Sequence, residues 1–274
     1  MSGLMGTFYR ITEWILRFVV TNLLWVFFNL PNVYFFYNFV MMLTEVDVVT
    51  ALIVNLLPVA ILSPFVLFPA TSALFSVVRK WIMDDPDVPL LRMFMKGYKS
   101  NYKISMLGGF VFVPLWALYV FDYYYYVNAV SSALSYAFLL IGMFLLAFNI
   151  HFFSLAVHFH MRLRDLLKNA LFISIGRPLI SLGIVLITLA ILYISTMIFT
   201  WMIPFFAFSI IAYCSFRGFY MIYSKAHEMK GEEDDDLPEE SGRSEGGDHA
   251  EKDNHRLNKP SEHEQPATDA AGKP

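Results

Sequence analysis

The sequence predicts an all-α protein, a polytopic transmembrane helical bundle of about six spans, with both termini cytoplasmic and the second span kinked or interrupted by prolines. Three observations carry this. The 274 residues are 57% hydrophobic and 16% charged, whereas soluble domains are roughly 25% charged. The chain is also partitioned. Residues 1–230 hold long apolar runs between clusters of charge, and residues 231–274 hold fourteen acidic residues, five basic ones and no aromatic. A soluble core of this size cannot bury so many runs of that length, whereas bilayer hydrocarbon can. Finally, Lys and Arg collect in every second connection between the runs, the pattern of cytoplasmic loops.

The spans are expected near residues 14–30, 49–78, 104–121, 133–159, 178–198 and 201–223, all within a transmembrane domain of residues 1–230. Arg10 and Arg17 flank the first, whose apolar run continues past Pro31 towards Leu43. Glu13 and Arg17 have the spacing of an ion pair on one helix face. No basic region followed by a short apolar core and a cleavage site opens the chain, so the first span is expected to stay in the membrane.

The second span is long for one crossing and contains Pro58, Pro64 and Pro69. Pro69 suits the first turn of a helix, where a missing N–H costs nothing, and Pro58 and Pro64 break what precedes it. Asn55 is placed to bond backbone groups that Pro58 frees. Beyond Pro69, Ser72, Ala73, Ser76 and Lys80 fall on one helical face. Small residues along one stripe let another helix approach closely. Two readings stay open for Asn22, Pro64, Pro69, Thr71, Ser72, Ala73 and Ser76: helix packing, or a discontinuous helix lining a polar cavity, as in some transporters.

Residues 79–103 form the next connection. Asp84-Asp85-Pro86-Asp87 reads as a turn or a helix start, and Leu90, Leu91, Phe94, Met95 and Tyr98 recur at helical spacing. This is an amphipathic basic helix expected to lie on the inner leaflet. Arg79, Lys80, Arg92, Lys96, Lys99 and Lys103 make it a cytoplasmic basic surface, an anchor or a dock for a protein partner. The basic connections after the fourth and sixth spans hold Arg162, Arg164, Lys168 and Arg177, then Arg217, Lys225 and Lys230. The intervening connections carry only Glu45, Asp47 and Asp122 as charges. They are aromatic at Tyr34-Phe35-Phe36-Tyr37 and Tyr123-Tyr124-Tyr125-Tyr126, which suits an interfacial belt, with a sugar-stacking platform as the alternative. The acidic tail, residues 231–274, is expected to be disordered.

Residues that could carry chemistry are sparse. The single cysteine, Cys214, lies in an apolar run and excludes an intrachain disulfide. His151, His158 and His160 have no Asp, Glu or Cys near them in sequence to complete a metal site. Asn22, Asn29 and Asn38 are more simply read as bonds between helices. No phosphate-binding loop, nucleophile elbow, zinc-protease motif or dinucleotide fingerprint is present. Neither an enzyme nor a bound cofactor or metal is expected, nor a nucleic-acid partner. The bilayer is the expected partner.

Several blocks together resemble the YesL-like family of bacterial integral membrane proteins. They are Gly6-Thr7-Phe8-Tyr9-Arg10-Ile11-Thr12-Glu13-Trp14, Asn22-Leu23-Leu24-Trp25, Phe68-Pro69-Ala70-Thr71-Ser72-Ala73-Leu74-Phe75, Val78-Arg79-Lys80-Trp81, and Phe94 with Tyr98-Lys99-Ser100-Asn101-Tyr102-Lys103. Pro31–Ser63 stands as an insertion in that pattern, and the acidic tail is additional. The resemblance implies a bacterial plasma-membrane protein without an established activity. It also implies an accessory role beside a sugar-transport system, or beside another membrane protein. A solute carrier for oligosaccharides, with its site at the broken second span, is the alternative.

Overall fold

In the computed structural model, which describes residues 2–42, 44–83, 89–129 and 133–235, every regular element is a helix. The elements are α1 (Ser2–Phe28), α2 (Leu30–Met42), α3 (Val48–Ala51), α4 (Leu57–Leu62), α5 (Leu67–Met83), α6 (Leu90–Ala129), α7 (Leu134–His158), α8 (Leu163–Gly176), α9 (Pro178–Met197) and α10 (Phe208–Asp235). Two π-helical turns, Leu52–Leu56 and Ile203–Ala207, precede α4 and α10. The chain divides into two units, Met1–Gly231 and Glu232–Pro274. Within the second unit only Glu232–Asp235 is described, and it is helical.

Among the described residues five helices are long and apolar enough to cross a bilayer: Gly6–Phe28, Leu90–Tyr126, Leu134–His158, Pro178–Met197 and Ile203–Lys225. The pair Leu52–Leu62 and Leu67–Met83 passes the same test together and changes direction by 52°, the geometry of a broken span or a re-entrant loop, so the spans number five or six. The protein is therefore an all-α helical membrane protein. Its surface fits that reading. Leu139, Leu140, Ile141 and Phe144 on α7, and Leu179, Leu182, Leu186 and Ile187 on α9, are exposed, which lipid tolerates and water does not.

The prolines explain the second span. Pro58 has no N–H to give to the carbonyl of Val54, and its ring crowds that carbonyl. The chain widens into a π turn instead, where the Leu57 N–H donates to Leu52 O. Asn55 does not reach the group that Pro58 frees. Its amide donates to Ala51 O (3.3 Å) and to Met42 Sδ (3.1 Å). After Pro64 the chain turns, Phe68 N donates to Ser63 O (3.0 Å), and α5 begins.

Burial is concentrated where α5, α6 and α7 meet. Residues Ile150–Val157 of α7 are buried all round. Phe68, Phe75, Phe112, Phe152 and Phe153 interlock there, with ring centroids 5.2–6.1 Å apart. A second aromatic group joins Trp14 and Phe18 of α1 to Trp81 of α5 and Tyr213 of α10, at 5.4–6.2 Å. Glu13 and Arg17 form the ion pair within α1, and Arg17 also lies over the Trp14 ring.

Three findings correct or add to these expectations. Residues 79–103 are not a separate surface helix. The stretch is divided between the end of α5 and the start of α6, which runs unbroken from Leu90 to Ala129. Its 40 residues extend about 60 Å, twice the hydrocarbon thickness. The apolar face of its first turns packs on protein, with Met93, Phe94 and Gly97 buried. The reason is that hydropathy changes at Lys103 while nothing in the backbone stops the helix. The acidic run Asp84-Asp85-Pro86-Asp87, expected as a turn or a helix start, lies outside the described residues. Second, the connection between the fourth and fifth spans contains a helix, α8. Third, α10 continues to Asp235, because Ala, Glu, Lys and Met favour helix regardless of polarity. The tail from Asp236 onward lies outside the described residues.

Candidate functional site

The residues singled out around the second span meet at two kinds of junction. The first is close backbone contact between α5 and α6. A Cβ added at Gly97 would lie 2.7 Å from Ser76 Cβ and 2.9 Å from Ser76 Oγ. One added at Gly109 would lie 2.6 Å from Pro64 Cα and 3.1 Å from Phe68 Cδ2. Only a missing side chain allows either approach. Ala73 also faces Gly97, its Cα 3.4 Å from that added carbon. The α6 backbone therefore fills the space beside Pro64, and Pro69 is buried in the first turn of α5.

Polar bonds reinforce this seam. Asn101 Nδ2 donates to Ser76 Oγ (3.0 Å), and Ser76 Oγ donates to Ser72 O (2.9 Å). Ser72 Oγ is buried without a partner. Thr71 Oγ1 donates to Leu67 O (2.7 Å) and accepts the indole N–H of Trp25 (3.1 Å). The Trp25 ring stacks on Phe208 at 4.0 Å. Trp25 thus ties α1 to the start of α5 and to the start of α10.

The second junction is built on Asn22. Its Nδ2 donates to Ile203 O (2.9 Å) and to Pro204 O (2.7 Å), and its Oδ1 accepts from the backbone N–H of Ser209 (3.0 Å). Those groups belong to the π turn at Pro204 and the helix start after it, where the regular ladder is broken. A buried carboxamide has one acceptor and two donors, and Asn22 uses all three functions here. Asn29 Nδ2 bonds within its own segment, to Trp25 O (2.9 Å). Asn38 does the same with Tyr34 O (2.8 Å).

The six basic residues divide between two settings. Arg92, Lys96, Lys99 and Lys103 are exposed along one face of α6, opposite buried Met93, Phe94 and Gly97, whereas Arg79 and Lys80 are half-buried on α5. The Tyr123–Tyr126 cluster is exposed near the other end of the same helix, about 30 Å from Lys103 at helical rise. That separation matches the hydrocarbon thickness.

The histidines are separately engaged. His151 Nε2 bonds Ser181 Oγ of α9 (2.9 Å). His158 packs edge-on against Phe159 and Tyr223, with centroids 4.4 and 4.7 Å away. His160 is exposed. Among the described residues no group of three or more His, Cys, Asp or Glu gathers into a metal site. What the arrangement can do is lock helices together and present a basic face.

Sequence reasoning missed Gly97, Gly109, Asn101 and Pro204. A signal existed for the glycines: they are the small residues on α6 that the small-residue stripe of α5 requires. None existed for the Asn22–Pro204 pairing, which joins residues far apart in the chain.

Comparison with known proteins shows what the chain is similar to. Residues 18–123 match the family model described as "Protein of unknown function, DUF624". That stretch holds Asn22, Trp25, the broken span and the α5–α6 seam. Relatives in Bacillus subtilis (strain 168) are all described as uncharacterized proteins. YteU is 28% identical over 233 residues, 84% of this chain and 91% of the relative. YesV is 29% identical over 168 residues, 58% of this chain and 80% of the relative. YesL is 24% identical over 169 residues, 61% of this chain and 66% of the relative. No solved structure matches the chain. On these matches, the chain is similar to the DUF624 family model over residues 18–123 and to YteU, YesV and YesL.

Proposed function

We propose that this is a non-enzymatic protein of the bacterial plasma membrane, with both termini cytoplasmic, that works by contact with another membrane protein. The carrying observation is the face formed by Arg92, Lys96, Lys99 and Lys103. It is exposed on a helix about twice as long as the hydrocarbon is thick, and its other face is held to α5 by the Gly97 and Asn101 contacts. A rigid basic surface of this kind suits an acidic partner. The distribution of Lys and Arg supports the orientation. The resemblance directs the choice of partner to a carbohydrate-uptake system, in which the chain acts as an accessory component. The carrier alternative loses its motive at the break, because the α6 backbone at Gly109 occupies the space beside Pro64.

The test is co-purification of the full chain from gently solubilised membranes of cells grown on different carbohydrates. A transport-system subunit should be recovered with the wild type under at least one condition. The combined Lys96→Glu, Lys99→Glu and Lys103→Glu variant should lose it while keeping its thermal midpoint. Recovery of no such subunit under any condition refutes the reading, as does equal recovery with the variant.

A further inference from the structure

Helix α8 is neither a span nor a core helix. Its 14 residues extend about 21 Å, short of the roughly 30 Å hydrocarbon. One face, Leu166, Ala170 and Ser174, is buried, against α7 and its neighbours. The opposite stripe is exposed and graded along the chain. It begins with Arg164 and Lys168 and continues with Leu171, Phe172 and Ile175, reaching Leu179 at the start of α9. Phe172 is 60% exposed, Ile175 61% and Leu179 83%. Lys168 Nζ lies 5.7 Å from the centroid of the Phe172 ring. The helix carries a single carboxylate, Asp165, also exposed.

Water is a poor neighbour for three such apolar side chains in one patch, and a purely apolar environment is a poor one for Arg164 and Lys168. A bilayer surface satisfies both ends. The apolar end enters the acyl region while the basic end stays at the phosphates, with the Lys168 stem lying along Phe172. We infer that the outer face of α8 is a binding surface for anionic phospholipid, with Arg164 and Lys168 contacting the headgroup phosphate and Phe172 and Ile175 the acyl chains. This surface is separate from the α6 face, and its test does not depend on a protein partner.

The full chain is reconstituted in nanodiscs of phosphatidylcholine mixed with phosphatidylglycerol, and co-isolated lipid is measured by native mass spectrometry. The wild type should retain phosphatidylglycerol preferentially. Arg164→Gln and Lys168→Gln should each lower that preference about fivefold, the factor for one basic residue at an anionic surface. A photoreactive group placed at residue 172 in the otherwise native chain gives a second readout and should label lipid. Equal retention of the two lipids by wild type overturns the inference. So does unchanged retention by the double variant, and so does labelling that falls on protein.

Discussion

Gly109→Ala is the sharpest probe of the α5–α6 seam. The added Cβ would stand 2.6 Å from Pro64 Cα and 3.0 Å from Pro64 Cβ, whereas carbon atoms rest at about 3.5–4.0 Å. The obstacle is backbone, locked by a proline, so no side-chain rotation relieves it. Either α6 or the break must shift by about 1 Å. Overpacking of this kind costs about 1–3 kcal/mol. Alanine also gains up to about 1 kcal/mol of helix propensity over glycine, so the net loss against wild type is about 0–2 kcal/mol, and the loss against a glycine-to-alanine change without overpacking is the full cost of about 1–3 kcal/mol. For a domain of this length that difference is about 2–12 °C in midpoint. Gly183→Ala on α9 is the internal control, since nothing lies within 4 Å of its added Cβ. There only the propensity gain remains, and the midpoint should stay level or rise. Both variants are compared with wild type by thermal unfolding in one detergent, followed by tryptophan fluorescence. A Gly109→Ala protein as stable as Gly183→Ala would refute direct backbone contact at the break.

Other substitutions probe the polar junctions. Asn22→Leu removes three bonds and leaves Ile203 O, Pro204 O and the Ser209 N–H without their partner. At about 0.6 kcal/mol for each bond in a membrane protein, the loss should be about 2 kcal/mol, with faster hydrogen exchange at the Ser209 amide. Trp25→Phe keeps the ring against Phe208 but loses the bond to Thr71. It and Thr71→Val should each cost under about 1.5 kcal/mol. In a double-mutant cycle the pair should cost less than the sum, and strict additivity would count against the bond. Glu substitution at Lys96, Lys99 and Lys103 should change stability by less than about 0.5 kcal/mol, as exposed sites do, while abolishing partner recovery.

The legible parts of this fold are those whose cause is intrinsic to one residue or one run. Pro58 and Pro64 had to interrupt a helix wherever they fell, and the structure shows the π turn and the 52° bend at those positions. The apolar runs had to seek hydrocarbon. What could not be read depended on partners or on backbone continuity. The boundary at Lys103 is one of hydropathy, and α6 runs through it because helix formation is indifferent to whether a residue meets lipid or water. α8 was hidden because the later half of its outer face is as apolar as its inner one, so Leu171, Phe172 and Ile175 blurred the period of Leu166, Ala170 and Ser174. Asn22 was legible as a bond between helices, yet its acceptors 181 and 182 residues away were not.

The two breaks share one logic, and it bears on what the bundle is for. Each π turn is followed or entered by a proline, Pro58 or Pro204, and each lies beside a buried asparagine, Asn55 or Asn22. In hydrocarbon a backbone group left unpaired at an interruption costs several kcal/mol unless a neighbour satisfies it; here Asn55 bonds Ala51 O and Asn22 bonds Ile203 O and Pro204 O. A hinge that opened during transport would have to break such bonds in every cycle or carry water to replace them. Here Asn22 makes three bonds across the second break, and Gly109 seals the turn after the first with backbone contact. Interruptions closed in this way fix the relative position of α1, α5, α6 and α10. They hold the long α6 helix at a set angle to the rest of the bundle, the condition on which the proposed docking face of α6 depends.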